Sequence, residues 1–342
     1  MSRLGRTLAV VATLAITIGV AAAAVTLNGA GATFPQPLYN KWFYEYNRAN
    51  PSVRINYQGI GSGGGIRAIQ SGTVDFGGTD APVSDAELKS FPGTLLQIPT
   101  VGGSVAVAYN VPGLKGTLKL NASMLAGIFL GYVTNWSDGR LKAINPGVTL
   151  PSRPIAVCHR SDGSGTTFLF TSYLSAVSQP WKARVGAGKS VNWPVGKGGK
   201  GNPGVAGLIK NIPGAIGYVE LAYALQNNLP AAVLQNRSGK YVAPTLDSTT
   251  ACIKGALSSL KADLRNPIIN ASGSDVYPIA GLTFIMVYQR QKDAAKGSAL
   301  VNLLKWTMGA GQKMAPSLQY APLPADLVRI CLQKIGSIQV PR

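Results

Sequence analysis

Carboxylates are scarce in this chain of 342 residues: 13 Asp and Glu stand against 32 Lys and Arg, a formal net charge of +19. Histidine occurs once, as His159, and cysteine three times, as Cys158, Cys252 and Cys331. Each shortage removes a class of function. One histidine and scattered acids leave no ligand set for a metal centre. A Gly-x-Ser-x-Gly hydrolase needs a histidine downstream of its serine, and no later histidine exists. Cys158 and His159 are adjacent, and neighbours on an extended strand point to opposite faces, so they pair poorly as nucleophile and base. Asp75 and Asp80 lie close together, but no glycosidase pattern follows them. An odd number of cysteines in an exported chain leaves at least one unpaired, with Cys252 and Cys331 the candidates for a bridge. Beyond the N-terminus no run is long and apolar enough to span a membrane.

The excess of base first suggests nucleic acid. The basic residues are scattered singly, however, with no run that could track a phosphate backbone, so nucleic acid is not an expected partner. The balance reads better as a lack of acids. Few carboxylates mean few groups whose protonation undermines folding in acid, which suits an acidic extracellular habitat. Stability that collapses between neutral pH and about 3 would contradict that idea.

What is present begins with a leader. Arg3 and Arg6 precede an apolar stretch from Leu8 to Val20, and Ala21-Ala22-Ala23-Ala24 supplies small residues for cleavage. This is the three-part form of a secretory signal peptide over residues 1–24, with a transmembrane anchor as the alternative. Its removal deletes two arginines and no acids, so the mature charge is 19 − 2 = +17. Hydrophobic residues make up 46%, and 41 glycines with 22 prolines suit many turns. The length allows about two domains.

Along the mature chain, short apolar strands alternate with helical spacing, which implies an α/β architecture. Several strands end in polar, glycine-rich loops that open helices. Gly29-Ala30-Gly31-Ala32-Thr33-Phe34-Pro35 leads into Leu38, Trp42, Phe43 and Tyr46 at helical spacing. The strand 53–57 runs into Gly59-Ile60-Gly61-Ser62-Gly63-Gly64-Gly65, with a helix expected from Ile66. Val74-Asp75-Phe76-Gly77-Gly78-Thr79-Asp80-Ala81-Pro82 precedes a capping box at Ser84 to Glu87. The strand Ile155-Ala156-Val157 feeds Arg160-Ser161-Asp162-Gly163-Ser164-Gly165-Thr166-Thr167, with a helix through Leu174. A loop is expected over residues 193–204, and helices over 219–227, 249–264, 298–308 and 325–335. Gly196 to Gly201 fits G-x-G-x-x-G literally. No hydrophobic strand leads directly into it and no acid follows at the required distance, so a dinucleotide site is rejected.

Backbone N–H groups, hydroxyls and one guanidinium at helix N-termini suit an oxyanion. An ordinary capped helix start, with Ser164 or Thr166 as the cap, is the alternative for the Arg160 loop. The presence of Asp80 narrows the ligand. A fully ionised dianion such as sulfate is repelled by a buried carboxylate, whereas monohydrogen phosphate can donate its proton to one.

These runs, together with Trp193-Pro194-Val195-Gly196 and Pro213-Gly214-Ala215-Ile216-Gly217-Tyr218-Val219-Glu220, resemble phosphate-binding proteins of the high-affinity phosphate ABC transporter, the PstS family. The likeness covers essentially the whole mature chain in order. It implies a two-lobed, type II-like periplasmic binding protein, with discontinuous lobes at residues 25–108 with 281–342 and at 109–280. Hinge strands would lie near Val107 and Ile279. It implies a monomeric, periplasmic receptor, not an enzyme, that needs no cofactor or metal and hands inorganic phosphate to membrane permease subunits. Thr33 and Phe34 would bind phosphate through backbone N–H groups, with the Thr33 hydroxyl. Ser62 would donate a hydroxyl, Asp80 would accept the phosphate proton, and Arg160 would pair with phosphate while Asp162 holds its guanidinium. Ser164, Gly165 and Thr166 would donate from a helix start. Two departures stand out: Gly63 where some relatives have Ser, expected to loosen that loop, and Cys158-His159 beside Arg160, with His159 expected to face away from the ligand. A secreted phosphate-handling enzyme or interaction module on the same scaffold is the alternative.

Overall fold

The computed structural model describes residues 24–342, so the expected leader lies outside the described residues except for Ala24. Among the described residues, no helix is long and apolar enough to cross a membrane. The strands in chain order are β1 (Val25–Gly31), β2 (Val53–Gly59), β3 (Phe76–Thr79), β4 (Leu95–Asn110), β5 (Lys119–Leu120), β6 (Ala156–Arg160), β7 (Lys197–Gly199), β8 (Ala215–Glu220), β9 (Val233–Gln235), β10 (Tyr241–Val242) and β11 (Ala280–Tyr288). Eight form one sheet in the order β2-β1-β3-β11-β4-β8-β6-β7, and β10-β9-β5 form a small second sheet.

The large sheet has two parallel wings joined by an antiparallel centre. Strands β1, β2 and β3 run parallel in one wing, and β6, β7 and β8 in the other. The strand β4 joins them. Its residues Leu95 to Ser104 pair with β11, and Val105 to Asn110 pair with β8. At the changeover the Val105 amide donates to the Ile279 carbonyl at 2.8 Å. The apolar run of β4 shows no alternation because it is buried on both faces.

Parallel strands need crossovers, and helices supply them. The helix Gln36–Ala49 starts with a proline in its first turn and buries Leu38, Tyr39, Trp42, Phe43 and Tyr46 on one face. Ser84 and Glu87 form the expected capping box. The closing helices span Ala294–Trp306 and Ala325–Gly336.

Four local expectations change. The glycine run is not a loop ahead of a helix at Ile66; the helix is Ser62–Gln70, so Gly63, Gly64 and Gly65 form its first turn. Glycine is a poor helix former, but here the Gly63 amide is tied to the Gly163 carbonyl at 2.9 Å, a contact that sequence spacing cannot reveal. The expected loop over 193–204 contains β7 and the start of the helix Gly201–Asn211. Val219 and Glu220 end β8, and the helix that follows is Leu221–Gln226. The single long helix over 249–264 is two, Leu246–Gly255 and Leu257–Ala262. All three cysteines are free and buried. Cys252 and Cys331 do not pair: the first thiol donates to the Tyr277 carbonyl at 3.1 Å, the second to that of Pro99 at 3.7 Å.

Candidate functional site

Loops at the C-terminal ends of parallel strands are the usual ligand position in α/β sheets. Here the loop after β1 carries Thr33 and Phe34, that after β2 Ser62, and that after β3 Asp80. In the other wing β6 ends at Arg160, and β7 leads into Asn202. All of these side chains are buried.

Arg160 is 4% exposed and is held from behind. Its Nε and Nη2 donate to the two carboxylate oxygens of Asp162 at 2.8 and 2.6 Å, and the Gly201 amide adds a third bond to Asp162 at 2.9 Å. Burial pushes the Asp162 carboxyl up, but the guanidinium and that amide leave it below the usual carboxylate range. The bidentate fork fixes the guanidinium plane and with it Nη1, which is not used by Asp162 and lies 3.4 Å from the Thr166 hydroxyl.

Asp80 meets a different environment. It is 2% exposed and forms no ion pair among the described residues. Thr283 donates its hydroxyl to Oδ1 at 2.7 Å, and Ser62 Oγ lies 3.4 Å from Oδ2. Burial dominates and pushes the carboxyl up from 3.8 to about 7, against the opposing pull of Thr283, the Arg160 guanidinium and Ser62. The turn at this junction is held by Thr79, whose hydroxyl bonds Ala81 on both its N–H and its carbonyl.

The two wings touch at the site. Ser62 Oγ accepts from the Asp80 amide at 3.2 Å and from the Gly165 amide at 3.0 Å. Gly165 must be glycine for this approach, since a Cβ there would lie 2.5 Å from the Asp80 Cβ. Gly61, at φ +80°, is a second such point: a Cβ would meet Asp162 Oδ2 at 2.2 Å. Two ion pairs bridge the wings at the rim, Lys189 with Glu87 at 2.7 Å and Arg265 with Asp85 at 2.5 Å.

Ser164 is the N-cap of the helix Gly165–Val177, with its hydroxyl oxygen accepting from the Thr167 amide at 3.0 Å. The capped-helix alternative is therefore correct for that hydroxyl, although its proton remains free to be donated. Thr33 does not cap its own helix, whose N-cap is Pro35. The peptides around Thr33 and Phe34 are held by tyrosines. Tyr57 donates to the Ala32 carbonyl at 2.8 Å and Tyr223 to the Thr33 carbonyl at 2.7 Å. In a trans peptide the N–H points opposite to the C=O, so the Thr33 and Phe34 amides point away from these tyrosines. Among the described residues neither amide meets a protein acceptor. The Phe34 ring is buried, edge-on to Tyr320.

The two departures resolve differently. Gly63 does not loosen its loop, because it sits in a helical first turn bonded to Gly163. His159 stacks on Trp193, with ring centroids 4.7 Å apart at 13°, while Cys158 is fully buried. Burial pushes the Cys158 thiol up to about 11, which disfavours the thiolate a nucleophile needs.

Comparison with known proteins gives the family and the fold. A family model described as a PBP superfamily domain matches residues 19–307. The phosphate-binding protein PstS of Xylella fastidiosa (strain 9a5c) is 46% identical over 306 residues, covering 89% of this chain and 83% of that protein. The protein of the same name from Methanocaldococcus jannaschii is 41% identical, covering 92% and 87%. The chain belongs to the PstS family. Among solved structures, a high-affinity periplasmic phosphate-binding protein (PfluDING) superposes with a TM-score of 0.73 at 22% identity, covering 90% of this chain and 92% of that one. At that identity the likeness shows the fold, a two-lobed periplasmic binding protein.

Within this PstS-family chain, residues not foreseen from sequence complete the site. Asn202, fully buried, bonds both Thr33 and Thr166. Its only sequence signal is a Gly201-Asn202-Pro203 helix start. Thr283 is the one polar residue in the apolar run Leu282 to Val287, an oddity that could have marked it. Glu220, also fully buried, caps the helix Leu221–Gln226 through Ala222 at 2.9 Å and meets the Tyr320 hydroxyl at 2.9 Å. Burial pushes its carboxyl well above the usual range.

Proposed function

We propose that this chain is an extracytoplasmic receptor that binds inorganic phosphate between the two wings and delivers it to an ABC permease. The carrying observation is two buried groups of opposite charge in one cleft: Arg160, oriented by Asp162, faces a wall whose acid, Asp80, is bonded by the hydroxyls of Thr283 and Ser62. An anion is attracted by the first, and a proton on that anion is accepted by the second. The Thr33 and Phe34 amides, and the Thr33, Ser62 and Thr166 hydroxyls, supply donors. Ser164 adds its hydroxyl proton, and Gly165 exchanges the Ser62 oxygen for one of phosphate.

The lobes are residues 25–108 with 281–342, and 109–280. The partner change of β4 between Ser104 and Val105, beside Ile279, supports a two-strand hinge there. The helices Leu246–Gly255 and Leu257–Ala262 lean across this boundary, with Ser104 bonded to Thr249 at 2.7 Å and Lys261 paired with Asp326. Closure about the hinge brings Gly165 to Ser62. The protein acts as a monomer in the periplasm after removal of its leader, and performs no chemistry on its ligand; its relatives are named as binding proteins.

Equilibrium dialysis with labelled phosphate tests the reading. Tight binding that excess sulfate fails to displace is expected. Absent binding, or equal displacement by sulfate, counts against it.

A further inference from the structure

Hydroxyl groups are ambiguous ligands for an anion, because each can donate one proton or accept through two lone pairs. A site that must present donors needs something to decide the matter. Thr33 Oγ1 accepts from the Asn202 backbone amide at 3.0 Å and from Asn202 Nδ2 at 3.0 Å. Thr166 Oγ1 accepts from the same Nδ2 at 3.1 Å and lies 3.4 Å from Arg160 Nη1. The side-chain amide is not free to flip, because its Oδ1 accepts from the Glu220 amide at 2.9 Å, and a backbone N–H can only donate. Nδ2 therefore faces the two threonines and spends one proton on each. Both hydroxyl oxygens have their lone pairs engaged, so both protons must point elsewhere.

We infer that Asn202 is the positioning residue that locks the Thr33 and Thr166 hydroxyls as donors toward the bound oxyanion. It links one wing of the sheet to the other, since Thr33 follows β1 while Thr166 follows β6. It also draws a line through the cleft. On the threonine side the ligand meets donors alone, so a ligand oxygen there must be an acceptor. A proton on the ligand is directed to the Asp80 side. This inference rests on the phosphate reading above.

The test is calorimetric titration of phosphate into the mature chain and its variants. Asn202→Ala should weaken phosphate binding about tenfold or more, because the freed hydroxyls can now turn their lone pairs to the anion. Asn202→Asp, nearly isosteric, should weaken it further, because a carboxylate takes both threonine protons for itself and repels the anion. In a Thr33→Val/Thr166→Val background, Asn202→Ala should cost less than twofold more, because nothing is left for it to orient. A residue that merely supports the fold would cost the same in both backgrounds, and that result overturns the inference. So does an Asn202→Ala protein whose affinity stays within twofold of the wild type. Thermal midpoints of all variants, measured alongside, separate loss of fold from loss of orientation. A wild type that does not bind phosphate overturns the phosphate reading and this inference together, whereas the other failures leave that reading standing.

Discussion

Asp162, partly buried, and Asp80, fully buried, are acids on opposite walls of one cleft, and they meet opposite fates. Asp162 has a guanidinium in bidentate contact and an amide, and it is held below the usual carboxylate range. Asp80 has hydroxyls, with the same guanidinium acting from a distance, and it rises to about 7. Burial raises both; the fixed cation decides the difference. An acid tied to arginine is an anchor that stays ionised and aims its partner. An acid among hydroxyls exchanges its proton near neutrality and can read the protonation of what lies beside it.

The contrast can be broken most severely at Arg160. Arg160→Ala leaves Asp162 as a partly buried charge with only the Gly201 amide bonded to it. Losing this charged bidentate bond should cost about 1.5–3 kcal/mol of stability in chemical unfolding, lessened by the water that reaches the partly buried carboxylate. Its direct loss in phosphate binding should be about 1.5–3 kcal/mol or more. If Asp162→Asn in that background restores stability but not binding, the anchor role is isolated.

Gly165→Ala attacks the contact between the walls. The added methyl cannot fit 2.5 Å from the Asp80 Cβ, so the wings must separate or the helix start must shift. A loss of about 1–3 kcal/mol in closure, read as weaker phosphate binding at nearly unchanged thermal midpoint, is expected. Unchanged affinity would show that this approach does not accompany binding.

The proton itself is tested through pH. The folded chain holds the Asp80 proton more tightly than the unfolded chain between about 4 and about 7. The contribution of Asp80 to stability is therefore present at low pH and is lost as pH rises through that window. Asp80→Asn should remove this slope, at most about 1.4 kcal/mol per pH unit in the difference between the two stability curves. Parallel curves would refute the raised value. The same substitution should narrow the preference for phosphate over sulfate, since the repelling carboxylate is gone; competition binding at pH 8 reads it directly.

The smallest effect is expected at the rim. Lys189→Ala removes the partly exposed pair with Glu87 and should change affinity by about 0.2–1 kcal/mol, vanishing at high salt. An effect that persists in molar salt would point to a role beyond charge.

Much of this was legible in the chain. Strand, glycine-rich turn and helix recur in order, and Arg160, Asp80, Ser62 and Thr33 each stand at such a junction, so sequence alone marks an α/β protein with an oxyanion site. The hold of Asp162 on Arg160 is implied by the family resemblance alone, and the bidentate bond between them is seen only in the structure. What local pattern could not supply is everything that depends on two distant segments meeting. Gly63 reads as loop until Gly163 supplies an acceptor for its amide. Asn202 and Thr283 look like a helix start and a stray polar residue until the wings bring them to Thr33 and Asp80. The cysteines read as a possible bridge until the fold buries each apart. Side-chain identity sets which groups can donate, accept or ionise. Only the tertiary structure sets which of them share a low-dielectric cleft, and there desolvation and the direction of each proton decide what they do.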